Sequence, residues 1–557
     1  MKKKLTKLAV TCRELAESYR KFNEEVYLSF SGVQRKGVVF CNLMLSLYIT
    51  AVAVLLGFSI NGKDAVLHGP VLFLLVYQAL KFFLVRHGDL CISCSKERGK
   101  LSPKLFAVTS SIVFAVFILN LFAHYPGGIS PDNIDQWNQV RDGNFHNWHP
   151  AIHTMMIWLV TRVLPVYSFF IGFQILAFSM VSGYMAATLA AWGVKKLWIA
   201  IFLVTIVATP STRGILLYAW KDTALTILLL CLAVYMINIV LSDGKWLLRW
   251  YNVGALAIIG ALTIVRHNGF FFTLPLGILI IVCYGKVTRN AIFAVALSVL
   301  MVLSITRVLY PLVGVTHSQT QVHVESVGLP MTILSGVMAR YPERLDEQTR
   351  KFLSGMATDE EWRATFVRGN YNSVKWAFGT SRFLAEIPPQ ELLLMTLRTI
   401  RNAPTISLME VIALTRMVWN PLDWHYNVGR DVEPRATGIV YSEHEIELLQ
   451  PIINISRIMY GLINIAIGLL IPGYILTSIG LHMLLLLLAG VYSVNRNLGA
   501  KALVLFIPSV AYNLGTMLLL SGPDYRFFHF NTVITLPLIV ALLARNVGST
   551  KQNDHEC

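Results

Sequence analysis

The sequence predicts an all-α integral membrane protein, a polytopic helical bundle of about 12 spans. Three observations carry that expectation. Apolar residues fill 55% of the 557 positions, and the mean hydropathy is +0.58, far from the balance of a soluble domain. Apolar runs close to the ~20 residues that cross a hydrocarbon core recur along the chain. The net charge of +16 is also unevenly placed: residues 315–455 hold 16 acids against 13 Lys and Arg, and the remainder 15 acids against 34. Short cytoplasmic turns that collect cations produce this asymmetry, whereas a nucleic-acid partner would call for one basic face.

Residues 1–36 carry Lys2, Lys3, Lys4, Lys7, Arg13, Arg20 and Lys21 and no small-residue cleavage site. They read as a cytoplasmic N-terminal segment without a cleavable signal peptide. Residues 37–103 hold two additional transmembrane helices, near 37–60 and 65–86, and a third run covers 104–124. The turn before the third contains Arg86, Lys96, Arg98 and Lys100 and is therefore cytoplasmic. Cys91 and Cys94 form a lone CxxC in it, a weak metal or redox signal without a second pair. Cys41, Cys231 and Cys283 lie in apolar runs as small hydrophobes, and no disulfide framework is implied.

By this parity the polar loop 125–153 is extracytoplasmic. The next run, Ala151–Leu164, is short and contains His153 and Arg162, so it is expected to lie flat in the outer interface. Spans then follow near 167–190, 196–210, 222–241, 250–266, 269–285 and 290–314. Residues 315–455 form an extracytoplasmic helical segment. Its periodicity at 389–402 and 405–418 predicts helices resting on the bundle or the membrane surface. It lacks the strand–helix alternation of a nucleotide-binding domain. Transmembrane helices occupy 456–545, and 546–557 is a cytoplasmic tail. One conflict remains. Arg496, Lys501, Arg545 and Lys551 ask for an odd number of crossings between 456 and 494, yet that stretch is long enough for two, with Pro472-Gly473 as a break. No internal repeat is visible, which weighs against a transporter built of paired halves.

The chain is organised around Tyr125 to His153, where Pro126, Gly127, Gly128 and Pro131 end an apolar helix and Asp132, Asp135, His146, His149 and His153 follow. Ionisable groups fixed beside a bilayer are costly and are functional suspects. The same parity gathers three further clusters on the outer face: Arg213 to Asp222, Arg266-His267-Asn268, and Ser521 to Arg526. A carboxylate among several cations at the lipid boundary suits transfer of a sugar from a lipid-borne phosphate. The cations would neutralise the departing phosphate, and the acid would take the proton of the incoming hydroxyl.

Each residue also has a plainer role. Asp132 follows Ser130-Pro131 and could simply cap a helix. Asp135, one turn on, could be base, metal ligand or acceptor contact. Lys221 and Asp222 could be an ordinary pair at a helix start, and Arg526, Arg266 and Arg213 interfacial anchors. His146, His149 and His153 are spaced so that a metal could see all three, but the HExxH glutamate is missing and Pro150 interrupts them. They could equally bind acceptor or phosphate, or be satisfied interface histidines. Trp137 and Trp148 could stack on a sugar or belong to an aromatic belt.

The pattern YPGGISPDNIDQW…HNWHPAIHT, with the later WKD, RHNG and PDYRF, resembles the GT-C superfamily of polyprenyl-phosphate-sugar-dependent membrane glycosyltransferases, and within it poorly characterised bacterial proteins. The resemblance covers 104–314 in organisation, as a GT-C-like transmembrane module, together with Asp524-Tyr525-Arg526. It implies interfacial helices in the first large outer loop, an acidic base there, and inversion at the anomeric carbon. Some members carry adjacent acids, whereas Asp132 and Asp135 are three apart. The expectation is a cell-membrane, multi-pass enzyme with its active site outside, moving a sugar to a glycan, lipid or protein acceptor of the cell envelope. Asp132 is the favoured base and Asp135 the reserve, with Lys221, Asp222, Arg266, His267, Arg526, His146, His149 and Trp148 binding substrate. A divalent metal is left open. A lipid-linked glycan flippase or transporter, and an envelope glycan polymerase or ligase, are the competing readings.

Overall fold

The computed structural model describes residues 42–43, 45–55, 73–78, 92–94, 98–316, 324–423, 443–470, 476–496 and 498–546. The expected N-terminal segment 1–36, most of the span at 65–86, Cys91 and the tail beyond 546 lie outside the described residues. The chain is a helical membrane protein. Among the described residues six helices are long and apolar enough to cross a bilayer, and six shorter apolar helices accompany them.

Helix α1 (Pro103–Ala123) begins where Ser102 Oγ accepts the Leu105 N–H at 3.2 Å and Pro103 takes the first helical position. Two short helices follow, α2 (Pro131–Asp142) and α3 (Ala151–Thr161). At 1.5 Å per residue each is under about 20 Å long, short of the hydrocarbon thickness. Helix α4 (Tyr167–Ala191) then packs along α1. Their approach is close because Gly183 faces Ser110 and the Phe106 carbonyl, leaving no room for a Cβ.

Helix α5 (Lys221–Leu241) is the axis of the bundle. It is apolar on every side, and 94% of its most hydrophobic window is buried in protein. A helix apolar all round has no face to give to solvent and sits among other helices. Helices α6 (Trp250–Leu262), α7 (Phe270–Cys283) and α8 (Thr288–Ser304) form a sheet-like row beside it. Helix α8 continues through a π-turn, Ile305–Leu309, to Val313, with 6% of its window buried. So apolar a helix with so little protein around it faces lipid.

The segment after 324 differs from its expectation. Its helices do not merely rest on the bundle: α9 (Gly328–Arg340) and the short helices up to Asn402 enclose a core of their own, including Met331, Leu353, Trp362, Tyr371 and Leu392. Helix α10 (Pro404–Trp419) packs both against α9 and on the membrane helices.

The stretch expected to begin at 456 starts earlier. Helix α11 runs from Glu443 to Leu470, Pro451 included, and α12 spans Ile479–Arg496. The stretch thus contains two helices, the alternative that its length allowed and the terminal charges did not favour. Helices α13 (Leu503–Met517) and α14 (Phe530–Leu542) complete the bundle, α14 lying against α5. A three-residue parallel ladder joins Ile92–Cys94 to Ala544–Asn546, which no sequence pattern announced.

Candidate active site

The loop before α2 decides what Asp132 can do. Ser130 is the cap: Asn133 Oδ1 reaches back to the Ser130 amide at 3.1 Å and to its hydroxyl at 2.8 Å, and Asn133 Nδ2 donates to the Ala219 carbonyl at 2.9 Å. The capping role weighed for Asp132 is therefore taken by its neighbours, and its carboxylate is free to point away from its own helix. Trp220 Nε1 donates to Ser130 Oγ at 2.8 Å, locking this loop to the start of α5.

Asp132 Oδ2 accepts from Arg526 Nη1 at 3.0 Å and lies 3.6 Å from Lys221 Nζ. Burial pushes this carboxyl up, but Lys221 and Arg526 outweigh it and hold it well below the usual carboxylate range. Asp132 is ionised at neutral pH. Arg526 also bonds Asp524 at 2.7 Å and approaches Asp222 at 3.9 Å. Asp222, almost fully buried, forms an ion pair with Arg266. Arg266 Nε donates to Asn268 Oδ1 at 2.6 Å, and its guanidinium lies 4.0 Å from the Phe527 ring. Arg526 sits over Trp220 and Phe527, at 5.1 and 5.2 Å.

Lys221 connects this set to a second acid. Its Nζ lies 2.7 Å from His149 Nδ1, and His149 Nε2 lies 3.8 Å from Asp135 Oδ2. An ammonium can only donate, so His149 Nδ1 accepts and the ring proton is on Nε2, facing Asp135. Burial first, and then the Lys221 charge, hold the His149 pKa down at about 2, so the ring is neutral. Asp135 also accepts from Gln139 Nε2 at 2.9 Å and pairs with His146 at 3.2 Å. Asp132, Lys221, His149, Asp135 and His146 thus form one continuous polar row.

The His267 pKa is lowered by burial and then by Lys221, and its ring faces the backbone of Trp148 and Asn147. It ties the turn at 266–268 to the acidic loop. Trp148 stacks on Trp376, with centroids 5.8 Å apart and planes 23° from parallel. Trp376 comes from the segment after 324, where Lys375 pairs with Glu325.

Two groupings that the sequence left open are not kept. His153 does not join His146 and His149: its Nδ1 lies 3.0 Å from Gln136 Nε2, and the buried ring edges Phe170. The turn of chain at Pro150 points it inward, so the triple-histidine metal reading is lost. No group of three or more His, Cys, Asp or Glu among the described residues is placed to hold a metal. Arg213 is also elsewhere, turned toward Tyr460 at 5.6 Å.

Sequence reasoning missed Trp220, Phe527 and Trp376 as walls of this site, and Asp524 as the partner of Arg526. The motifs WKD and PDYRF contained the first, second and fourth; nothing local marks Trp376.

Beside the ionic cluster, α6, α7 and α8 enclose a cavity of about 420 Å³ lined by Leu256, Phe270, Leu276, Val295 and Val299. Arg266 and His267 stand at its polar end. An apolar cavity with few convergent polar groups is the usual form of a ligand site. The described geometry defines the class: a helical membrane protein with an acid–cation cluster at one end of its buried axis. No protein-family model, curated protein or solved structure matches the chain.

Proposed function

We propose that this chain is a GT-C-type glycosyltransferase of the cell membrane, with about 12 spans and its site on the extracytoplasmic face. In this reading it moves a sugar from a polyprenyl-phosphate donor to a glycan, lipid or protein acceptor of the envelope. One observation carries the proposal. Asp132, Lys221–Asp222, Arg266 and Arg526, from four distant segments, meet in one ionic cluster, and its Arg266 also lines an apolar cavity.

The polyprenyl chain would lie in that cavity with its phosphate at Arg266 and Arg526. The acceptor oxygen attacks the anomeric carbon, and the bond from that carbon to the phosphate oxygen breaks with its electrons on the phosphate. The hydroxyl proton passes to Asp132. In the free site Lys221 and Arg526 make Asp132 a poor proton acceptor. An arriving phosphate competes for both cations and raises the proton affinity of the acid when it is needed. Asp135, linked through His149 and Lys221, is the reserve base. Trp148 and Trp376 offer a stacking face for the acceptor. None of these steps calls on a metal.

The test is transfer of a labelled sugar by purified enzyme, with Asp132→Asn and Asp135→Asn alongside. Loss of turnover in Asp132→Asn with donor binding retained supports the proposal. Unchanged turnover sinks Asp132 as the base. The tight pairing of Asp132 favours one second reading: an envelope glycan polymerase or ligase in which the acid only positions cations. There, Asp132→Asn would weaken donor binding itself. A flippase would move lipid-linked glycan with no transfer by the wild type.

A further inference from the structure

The residue that left the active-site cluster leads to a second site. Arg213 sits on the short helix Pro210–Ile215 and is about nine-tenths buried. Its backbone is pinned, because its carbonyl accepts Asn120 Nδ2 at 2.8 Å. Its side chain is not: Nε and Nη1 are buried and meet no hydrogen-bond partner among the described residues. What surrounds it is cationic and aromatic. The guanidinium lies over Tyr460 of α11, and that ring meets His124 edge-on at 5.3 Å. Arg457, one turn before Tyr460, donates from Nε to the last carbonyl of α1, Ala123, at 3.2 Å. Both arginines bear on His124, whose imidazole is held below its ordinary value by burial and then by their charges.

Among the described residues no carboxylate forms an ion pair with Arg213 or Arg457. A buried guanidinium without a partner costs several kcal/mol, and the exposed Arg457 adds a second positive charge beside it. Compensation by an anion removes that cost. The position says which kind of anion. Arg457 lies level with the end of α1, where a helix meets the membrane surface, and the face of α11 beyond it is exposed and apolar, through Ile458, Met459, Leu462 and Ile465. An arginine fork above an apolar stripe matches a phosphate above an acyl or prenyl chain.

We infer that Arg213 and Arg457, with His124 and Tyr460 as walls, form a phosphate-binding site for a membrane lipid. It is separate from the Asp132 cluster, and it does not depend on the proposed transfer reaction. Its ligand class is a phosphomonoester or phosphodiester. The lipid supplies tail contacts along α11 that a free phosphate cannot.

Native mass spectrometry of the full chain in detergent tests this, with dioleoylphosphatidylglycerol, dioleoylglycerol and inorganic phosphate as probes. The wild type is expected to retain phosphatidylglycerol and not dioleoylglycerol. Arg213→Gln and Arg457→Gln should each retain one lipid fewer per chain, with apparent affinity for that lipid falling at least about tenfold, the scale of one charge-assisted contact. Asp132→Asn should retain the same number as the wild type, which separates this site from the proposed active site. Inorganic phosphate held equally well, and lost in the same two variants, assigns the site to free anions and overturns the lipid. Equal lipid retention by wild type and both variants overturns the site altogether. Arg457 is exposed, so Arg457→Gln carries the decision should Arg213→Gln not fold.

Discussion

Two clusters of cations stand at the ends of these helices, and they are built on opposite principles. Around Asp132, Lys221, Arg266 and Arg526 are matched by Asp132, Asp222 and Asp524. Around Tyr460, Arg213 and Arg457 have no acid among the described residues. Matched charges neutralise one another in the empty site, so a ligand must compete for them and can be released again. Unmatched charges are neutralised only by something that arrives. The first design suits turnover, and the second suits retention.

The largest expected effect tests what the matched cluster is for. Asp132→Asn should lower the transfer rate by ~10²–10⁴-fold, read from labelled product at saturating donor, with donor affinity changed only a few-fold. An unaltered rate would reduce the matched cluster to architecture.

Removing one side of a matched pair comes next. Asp222→Ala leaves Arg266 buried and alone, and should cost roughly 3–5 kcal/mol, seen as a lower midpoint of thermal unfolding in a fixed detergent. A midpoint equal to wild type would mean that Asp222 is not needed to balance Arg266.

A pH series sharpens the contrast further. His149 has a folded pKa of about 2, against ~6.5 in an unfolded chain. Between those values the unfolded chain holds one more proton at this position, so stability rises with pH and falls as pH drops below about 6.5. The contribution is on the order of 1 kcal/mol per pH unit. His149→Gln should flatten the unfolding midpoint between pH 6.5 and 5 by that one-proton increment. Asp132 does not interfere: its folded pKa is depressed, so its contribution is present above ~3.9 and lost only as pH falls below that.

The smallest effect is the most telling. Arg213→Gln removes a buried cation that has no acid to lose, so in lipid-free detergent it should leave the unfolding midpoint unchanged or raise it. A drop as large as that of Asp222→Ala would show that Arg213 has a protein partner after all, and the contrast between the clusters would collapse.

Much of the helical bundle was legible from apolar runs, because burial in lipid or protein asks for the same residues over the same length. The runs at 104–124 and 222–241 match α1 and α5 within a residue or two. The interior of the segment after 324 was not legible. Its helices are short, and a core assembled from Met331, Trp362 and Leu392 leaves only a few apolar positions on each. The start of α11 was missed because Glu443, Glu445 and Glu447 look like the end of a soluble segment, although acids are welcome in the first turn of a helix.

For the site, charge bias alone grouped Asp132, Lys221, Arg266 and Arg526. It grouped Arg213 with them wrongly, because sharing a membrane surface does not mean sharing a cavity. The capping alternative for Asp132 was removed by Asn133, a residue whose reach back to Ser130 has no signature beyond ordinary helix-start chemistry.

The helix that begins with Lys221 and Asp222 is also the one most completely enclosed by the others. A charged pair mounted on the axle of a bundle inherits the axle's position. Enlarging a small residue well down its length, such as Ala233 or Cys231, would lever the charged end sideways without touching it. In this molecule the depth of the membrane interior and the charge at its rim are one rigid part.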